Sequence, residues 1–360
     1  MNLVRKNILN ITPYQPGKPI DEVRREFGLK DIIKLASNEN PLGVSSSVIR
    51  RLRREILNVN RYPDGNCFYL KEALAKKSGL KPSNFCCGNG SDESIDTIIK
   101  TFVEEDEEII TSDNTFLEYE IISKINDRKI ITVPMTYFRY DLDAIKKRVT
   151  KKTKVIFIAN PNNPTGTYVS RYELEEFFKD LPCGIIVVLD EAYDLFVDVD
   201  DFPKSLSYLE NKNIIILKTF SKSYGLAGLR LGYAIASPEM ISYMERVRPP
   251  FNVNILAQAA GVAALKDDAF LQRTRKIVLE GKRYLYEALD KSGIPYIPSV
   301  ANFILIDTGK DGVGVFKYML KRGVIVRDMK QYGLRTFIRV TVGSFQENKR
   351  FIKILKEAIK

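Results

Sequence analysis

Short apolar runs alternate with helical patterns through the middle of the chain. Six runs are rich in isoleucine and valine and are almost continuously apolar. They cover residues 107–111, 129–133, 154–160, 185–190, 213–218 and 231–236. Strands of this kind are buried on both faces, as in a largely parallel sheet covered by helices. The pattern therefore predicts a large α/β domain over residues 36–250.

Helix boundaries are marked between these strands. Ser170 and Glu173 form a capping box, in which the two side chains satisfy free N–H groups at a helix start. Ser237 followed by Pro238 is typical of an N-cap and the first helical residue. Gly79 ends an earlier helix. Helices are thus expected to alternate with the strands.

The last part of the chain has a different pattern. The elements predicted there are helices at 254–267 and 276–292, strands at 303–306, 324–326 and 337–342, and a last helix that begins at the capping box 344–347. This order indicates a smaller α+β domain over 251–360, with the boundary at the Arg-Pro-Pro run 248–250. Residues 1–35 are expected to form an N-terminal segment that packs with the small domain.

Composition bounds the class of protein. The 360 residues include 56 Lys and Arg against 45 Asp and Glu, a net charge of +11. A basic chain suits nucleic acid, a membrane surface or an anionic small ligand. Because the lysines are spread along the chain, we expect phosphate-binding pockets and no nucleic-acid partner. The N-terminus lacks the apolar region of a signal peptide, and no run approaches the ~18 apolar residues of a membrane span, so a cytoplasmic protein is expected.

The chain contains no histidine. A Ser-His-Asp triad and a histidine-based metal site are therefore excluded, and any proton carrier is Lys, Tyr, Asp, Glu or Cys. The four cysteines, Cys67, Cys86, Cys87 and Cys183, lack the spacing of a zinc site. We expect no metal, and reduced, mostly buried thiols.

The segment richest in candidate chemistry is TFSKSYGLAGLRLGY at 219–233. In it, Lys222 follows a buried strand and precedes a small, glycine-rich stretch. Desolvation and nearby cations lower the pKa of a lysine, and a neutral amine can attack a carbonyl carbon. We therefore predict that Lys222 is a nucleophile.

A second candidate, Asp190, ends an apolar strand. Ligands bind at the carboxyl ends of strands in open α/β sheets, and a carboxylate there needs a cationic partner. A protonated pyridine nitrogen would serve, and the pair would make the ring an electron sink. Tyr193 is placed to hydrogen-bond a ring oxygen. On this pattern alone, a structural Asp at a strand end is the alternative.

Two loops add further candidates. The sequence NPNNPTG at 160–166 follows a strand, although a simple turn would also explain it. The sequence GNGSDE at 88–93 precedes a helix with one apolar face. Free N–H groups at a helix start, next to glycines, bind phosphate. The GxGxxG dinucleotide pattern is not met.

Together, these four segments resemble the fold-type I aminotransferases, which use pyridoxal 5′-phosphate. NPTG, the Asp-x-x-Tyr pair and SKxxGLxGxRxGY carry the resemblance by their order and spacing, and it covers essentially the whole chain. It implies a large domain with a mostly parallel seven-stranded sheet flanked by helices, and a smaller α+β domain.

The resemblance implies a role for each matching position. Lys222 would hold the cofactor as a Schiff base and shuttle the proton between substrate Cα and cofactor C4′, which fits a chain without histidine. Asp190 would pair with the pyridinium nitrogen. Tyr193 and Asn163 would bond the ring oxygen, and Asn163 is also a substrate-binding candidate. Arg339 would clamp the substrate α-carboxylate. The cofactor phosphate would be surrounded by Gly90, Ser91, Asp92, Ser221 and Arg230.

Finer motifs narrow the resemblance to the histidinol-phosphate aminotransferase family. They are PYQPGKP at 13–19, LASNENPLG at 35–43, RYPD at 61–64 and GVIVRD at 323–328. In that family the tyrosine of RYPD, here Tyr62, reaches the cofactor phosphate of the neighbouring subunit, which implies a homodimer with shared sites. Arg327 and Tyr14 are then candidates for the phosphate of the substrate. An ion pair of Arg327 with Asp328 or with a nearby Glu would explain that arginine equally well.

One position departs from the family pattern. The family usually has Pro-Thr-aromatic before the residue that stacks on the cofactor ring, whereas this chain has NTF at 114–116. Stacking needs only an aromatic face, so Phe116 is the predicted stacking residue. Tyr119 is the alternative.

The resemblance implies that glutamate donates its amino group through the cofactor to imidazole-acetol phosphate, giving L-histidinol phosphate and 2-oxoglutarate in histidine biosynthesis. An aromatic or broad-specificity aminotransferase and a threonine-phosphate decarboxylase are alternatives on the same scaffold. A cofactor-sensing regulator is a further alternative. The about 35 residues before the large domain show no helix-turn-helix pattern to support it.

Overall fold

The computed structural model of the protein describes residues 3–210 and 213–360. Its α-helices are α1 Ile20–Phe27, α2 Ser46–Glu55, α3 Phe68–Ser78, α4 Ser91–Phe102, α5 Glu118–Ile125, α6 Leu142–Arg148, α7 Arg171–Lys179, α8 Pro238–Val247, α9 Ile255–Leu265, α10 Asp268–Asp290, α11 Gly312–Leu320 and α12 Phe345–Ala358. Its strands are β1 Ile33–Lys34, β2 Phe85–Gly88, β3 Glu108–Ser112, β4 Lys129–Val133, β5 Thr153–Ala159, β6 Ile186–Asp190, β7 Ile214–Thr219, β8 Gly232–Ile235, β9 Tyr296–Ile297, β10 Phe303–Asp307, β11 Val324–Ile325, β12 Arg327–Asp328 and β13 Phe337–Thr341.

The central sheet has seven strands in the order β2-β8-β7-β6-β5-β3-β4. All neighbours run parallel except β8, which is antiparallel to both β2 and β7. Every residue of β3 and β6 is buried, as continuous apolar runs predict for a sheet covered on both faces. The α/β fold class and the six strands predicted from those runs are confirmed. Strand β2 was not predicted, because the sequence FCCG lacks the β-branched residues that indicate a strand.

The register of the central strands brings separate loops to one edge of the sheet. Ala159 of β5 lies beside Asp190 of β6, and Asp190 lies beside Leu217 of β7. These three parallel strands therefore end at nearly the same level. The loops that follow them, which contain the candidate residues of the sequence, meet there.

A second sheet, with the order β12-β13-β10-β9, is antiparallel. Its inner face packs on α10 and α12 in a core separate from that of the large sheet. Helix α9 instead packs on α2 and α3, and its Ala257 and Ala260 belong to the core of the large sheet. The domain boundary at 248–250 stays a prediction. Although α9 follows that boundary in the sequence, its contacts are with the core of the large sheet.

The N-terminal segment contacts the second sheet region through α1 and β1. Strand β1 pairs in parallel with β11. Val23 and Ala36 pack together with Leu320 and Ile325 in a small core of their own. These contacts place residues 36–39, which follow β1, beside the edge where the central strands end.

The helix ends follow the capping signals. Ser170, Ser237 and Ser344 each accept a hydrogen bond from a backbone N–H in the first turn of their helices, as predicted. Gly79 ends α3 in the left-handed conformation. Helix α10 begins at Asp268, eight residues before the predicted start, because Asp267 caps it through the Phe270 N–H.

The state of the cysteines and the polarity of the helices can be examined in the described part of the chain. All four cysteines are free thiols, and only Cys183 among them is exposed. None of the helices in residues 3–210 and 213–360 is long and apolar enough to cross a bilayer.

Candidate active site

A cavity of about 340 Å³ opens where the ends of the central strands face the second sheet and the N-terminal segment. It brings together most of the residues that the sequence singled out. Those lining it are Tyr14, Ser91, Asp92, Phe116, Asn163, Asp190, Tyr193, Ser221, Lys222, Arg230, Arg327 and Arg339. Gly90, which precedes Ser91 in the chain, and Tyr62 are not among the lining residues.

Lys222 is held at the cavity by the turn that follows β7. Its Nζ donates a hydrogen bond to the Ser37 carbonyl oxygen at 3.1 Å. Burial, reinforced by the nearby positive charge of Arg339, lowers the pKa of Lys222 to about 8. An appreciable fraction of this amine is therefore neutral and nucleophilic near neutral pH.

Asp190 projects from the end of β6. Its Oδ2 accepts a hydrogen bond from the Tyr119 hydroxyl at 2.6 Å, and its Oδ1 accepts one from the Ala192 N–H at 3.2 Å. Burial raises the pKa of Asp190 to about 6, against the opposing effect of these hydrogen bonds. No ion pair of the described residues includes Asp190, so this buried carboxylate suits a cationic ligand atom.

Tyr193 lies three residues beyond Asp190, at the turn that follows β6. Its hydroxyl accepts a hydrogen bond from Asn38 Nδ2 at 2.8 Å, and its ring packs edge-on against Phe303 at 5.1 Å. Asn38 is buried in the left-handed conformation, with φ of 55°. In the sequence, Asn38 lies within the motif LASNENPLG, and no local pattern indicates a role of its own. The structure makes it the residue that orients the Tyr193 hydroxyl.

The start of α4 forms a cradle for an anion. Gly90 is its N-cap residue, and within the described chain no side chain caps the first turn. A Cβ on Gly90 would lie 2.5 Å from Arg230 Nη2, and one on Gly232 would lie 2.5 Å from the Ser91 nitrogen. Arg230 also donates to Asp92 Oδ2 at 3.0 Å. Two glycines thus allow a guanidinium to approach free N–H groups, a combination that binds phosphate.

Phe116 and Tyr119 occupy different places. Phe116 lines the cavity. Tyr119 is fully buried behind it, with its ring stacked on Phe157 at 4.8 Å and edge-on to Phe116 at 5.7 Å. Of the two candidates for ring stacking, only Phe116 presents its ring to the cavity, and its assignment stays a prediction. Tyr119 instead supports Asp190, a role that the sequence did not indicate.

Arg339, on β13, faces Lys222 from the second sheet. It donates to Asn163 Oδ1 through Nη1 and to the Ala36 carbonyl oxygen through Nη2, the latter at 2.9 Å. Its Nε is buried without a partner among the residues described. A buried donor in this state is costly until a ligand accepts from it, and a carboxylate matches the geometry of guanidinium.

Arg327, on β12, is a second buried guanidinium in the cavity. It donates to Gln331 Oε1 at 3.1 Å, and its guanidinium lies 5.1 Å from the centre of the Tyr14 ring. The ion pair with Asp328 is not formed. Asp328 instead accepts a hydrogen bond from the Lys330 N–H at 3.1 Å. Local pairing with Asp328 therefore does not explain why Arg327 is buried.

These groups fit pyridoxal 5′-phosphate. Asp190 suits the ring nitrogen, Lys222 suits the aldehyde, and the start of α4 with Arg230 suits the phosphate. The Phe116 ring supplies an aromatic face. The fold and this donor set define a pyridoxal-phosphate-dependent enzyme of fold type I.

Comparison with known proteins gives the family. A family model for aminotransferase class I and II matches residues 30–355. A histidinol-phosphate aminotransferase of Moorella thermoacetica is 49% identical over 99% of this chain and 92% of its own length. One of Caldicellulosiruptor saccharolyticus is 44% identical over 99% of this chain and its whole length. The chain is a member of the class I and II aminotransferases and belongs, within them, to the histidinol-phosphate aminotransferase family.

Solved structures agree with this membership. The histidinol-phosphate aminotransferase of Sinorhizobium meliloti, in complex with pyridoxal 5′-phosphate, is 26% identical and has a TM-score of 0.91 over all of this chain and 98% of its own. An aspartate aminotransferase of Thermus thermophilus is 20% identical, with a TM-score of 0.83 over 99% of this chain, and shares the fold. The sequence-based resemblance and the cofactor prediction are both confirmed.

Proposed function

We propose that this enzyme transfers the amino group between L-histidinol phosphate and 2-oxoglutarate, reversibly giving imidazole-acetol phosphate and L-glutamate, in histidine biosynthesis. The observation that supports this reaction most directly is the second guanidinium in the cavity. Arg339 alone suffices for the α-carboxylate of glutamate. Arg327, buried against Tyr14, adds a separate site for the phosphate of the other substrate.

Bound pyridoxal 5′-phosphate supplies an electron sink for the charge that develops at the substrate Cα. The lowered pKa of Lys222 would let its Nζ hold the cofactor and carry the proton removed from the substrate Cα. Asp190, when ionised, would pair with the protonated ring nitrogen. Tyr193 and Asn163 would hydrogen-bond the ring oxygen, and Phe116 would supply an aromatic face for the ring.

The cradle at the start of α4 would hold the phosphate group of the cofactor. Ser91 and Asp92 provide the free N–H groups of the first turn next to Gly90, Arg230 provides charge, and Ser221 provides a hydroxyl beside Lys222. Because the N–H groups at the start of α4 are fixed by the backbone, they would orient the cofactor with little entropy loss.

We further infer a homodimer in which Tyr62 reaches the cofactor phosphate of the partner subunit. Tyr62 is 82% exposed and stacks on Phe251 at 4.8 Å, outside its own cavity. Exposed apolar side chains recur along residues 44–69, the stretch that contains Tyr62. These are Val44, Ile49, Ile56, Leu57, Val59, Phe68 and Tyr69, and Phe251, which contacts Tyr62, is exposed as well. Clusters of exposed apolar residues are typical of subunit interfaces.

Sedimentation combined with complementation tests the shared site. Wild type should sediment as a dimer. Tyr62→Phe and Lys222→Ala homodimers should each have weakened turnover. Mixing them should regenerate sites in which Tyr62 and Lys222 come from different subunits, and activity should rise above that of either parent. Activity that stays at the level of the unmixed variants would contradict the shared site.

We also propose that the enzyme is cytoplasmic. Its buried free thiols, at Cys67, Cys86 and Cys87, suit a reducing compartment. Fractionation of cells with an antibody to the protein tests this location, and recovery in a membrane or secreted fraction would contradict it.

A single-turnover experiment tests the reaction. Holoenzyme is mixed with histidinol phosphate without a keto acid, and the absorbance of the lysine-bound cofactor is followed. Conversion to the amino form of the cofactor should be far faster than with phenylalanine or threonine phosphate. Faster conversion by phenylalanine would favour an aromatic aminotransferase, and release of carbon dioxide from threonine phosphate would favour a decarboxylase.

A further inference from the structure

A buried cluster of charged side chains lies next to the cavity but does not line it. Lys218, on β7, has its Nζ 2.8 Å from Glu191 Oε2 and 2.5 Å from Asp194 Oδ2. The other oxygen of Glu191 accepts a hydrogen bond from Ser205 Oγ. The side chains of Lys218 and Glu191 are only 19% and 6% exposed. None of these four residues has a place in the proposed reaction.

The two carboxylates flank the groups that face the cofactor. Glu191 directly follows Asp190, and Asp194 directly follows Tyr193. The turn is closed by the Asp194 N–H, which donates to the Glu191 carbonyl oxygen at 3.2 Å. One ammonium group therefore holds both ends of the turn from which Asp190 and Tyr193 project.

The same cluster ties this turn to the strand that leads to Lys222. The Glu191 N–H donates to the Leu217 carbonyl oxygen at 2.9 Å, next to Lys218 in the chain. Lys222 follows Lys218 by four residues, in the turn after β7. Displacement of the cluster would therefore change the relation between the carboxylate of Asp190 and the amine of Lys222.

Electrostatics makes Lys218 hard to replace. Burial lowers the pKa of Lys218, but attraction to Asp194 and Glu191 outweighs that effect and leaves the pKa raised. Without this ammonium, two carboxylates would face each other in a poorly solvated place. One of them would have to take up a proton or move towards water, and the turn would move with it.

We propose that Lys218 is a positioning residue for the cofactor: by binding Glu191 and Asp194 together, it fixes the Asp190 carboxylate and the Tyr193 hydroxyl against the cofactor ring. This inference rests on the proposed roles of Asp190 and Tyr193. It does not depend on which amino substrate the enzyme prefers.

The test compares Lys218→Met, which keeps much of the side-chain volume, with Lys218→Arg, which keeps the charge. The dissociation constant of pyridoxal 5′-phosphate from the apoenzyme and the single-turnover rate are measured for each. Lys218→Met should weaken cofactor binding and slow the single turnover by about 10- to 100-fold, the loss expected when a reacting group is misplaced by ~1 Å. Lys218→Arg should recover most of both.

Lys71→Met is the matched control. The Lys71 Nζ lies 2.7 Å from Glu245 Oε1, with side chains 15% and 24% exposed, and neither residue lines the cavity. This variant should lower the melting temperature without changing the dissociation constant of the cofactor. The increase in melting temperature on cofactor saturation should shrink only in Lys218→Met, because that increase depends on affinity.

A purely structural Lys218 would give a different result. Lys218→Met would then lose stability as Lys71→Met does, with cofactor affinity and single-turnover rate unchanged, and the proposal would be overturned. If Lys218→Met does not fold, Asp194→Asn is tested instead. It keeps the ion pair of Lys218 with Glu191 and removes only the one with Asp194, at the end of the turn next to Tyr193. Cofactor binding should then weaken several-fold, and unchanged affinity in Asp194→Asn would also overturn the proposal.

The substrate assignment can fail separately. A wild-type enzyme that reacts faster with phenylalanine than with histidinol phosphate would refute the proposed substrate. A weakened cofactor affinity in Lys218→Met would still support the positioning role.

Discussion

The two walls of the cavity satisfy their polar groups differently. On the wall formed by the central sheet, Asp190 and Tyr193 accept hydrogen bonds from buried protein donors, Tyr119 and Asn38. On the wall formed by the second sheet and the N-terminal segment, Arg339 has a buried Nε without a partner in the described chain.

This difference matches the two kinds of ligand. The cofactor stays in place through the reaction, so its wall can hold each group in one orientation. The substrates alternate, and both carry anionic groups, so the opposite wall keeps guanidinium groups that have donors to spare. Variants that damage one wall should therefore produce a different defect from variants that damage the other.

Lys222→Ala should have the largest effect, because it removes the group that joins the two walls. This variant would lose both roles proposed for the amine, covalent attachment of the cofactor and proton transfer, so single turnover should fall by at least about 10⁴-fold. Cofactor binding should also weaken. The exposed Lys151→Ala is the control and should behave as wild type. Full activity in Lys222→Ala would rule out the assigned nucleophile.

Arg339→Lys tests the substrate wall while keeping its positive charge. Lysine cannot reproduce the two parallel hydrogen bonds of guanidinium, so kcat/KM for glutamate should fall about 10- to 100-fold. Cofactor affinity should change much less. The measurement is steady-state kinetics with glutamate, alongside a cofactor titration of the apoenzyme. A loss confined to cofactor affinity would show that Arg339 binds the cofactor and not the substrate.

Arg327→Met tests whether the two arginines of the substrate wall bind different groups, Arg339 a carboxylate and Arg327 a phosphate. It should lower kcat/KM for histidinol phosphate by about tenfold, because it removes a charged donor to phosphate. The slower reaction with phenylalanine, which has no phosphate, should be unaffected. Parallel kinetics with the two amino donors check this result. An equal loss of kcat/KM with histidinol phosphate and with phenylalanine would show that Arg327 does not recognise the phosphate group.

Tyr119→Phe should have the smallest effect and should act on the cofactor wall through pH. The pKa of Asp190 is about 6, so cofactor affinity should weaken as pH falls through that value and the carboxylate takes up a proton. The Tyr119 hydroxyl favours the ionised form, and its removal should raise the pKa of Asp190 further. The acid side of the profile should therefore move to higher pH.

The measurement is the dissociation constant of the cofactor between pH 5 and 8. Tyr140→Phe is a suitable control, since that buried hydroxyl bonds to Thr115 at 2.7 Å and to the Ala159 N–H at 3.1 Å, not to Asp190. Its profile should match that of wild type. Identical profiles for Tyr119→Phe and wild type would show that the Tyr119 hydroxyl does not control Asp190.

The cofactor wall was the more predictable part of the molecule. Its residues follow consecutive parallel strands, so local motifs around Lys222, Asp190 and Asn163 mark it directly. The link from Tyr119 to Asp190 spans 71 positions, and no local pattern shows which side of the Tyr119 ring faces the sheet. The early start of α10 was also missed, because residues 268–275 contain too few apolar positions to show a helical period.

Three consecutive residues after β1, Ala36, Ser37 and Asn38, contact groups of both walls. Ala36 accepts from Arg339, Ser37 accepts from Lys222, and Asn38 donates to Tyr193. An inhibitor that bridges the two walls would compete with this peptide segment as well as with substrate. Such an inhibitor would carry two acceptors in place of the Ala36 and Ser37 carbonyl oxygens, linked to an anionic group. A compound that copies only the substrate would not compete with this segment.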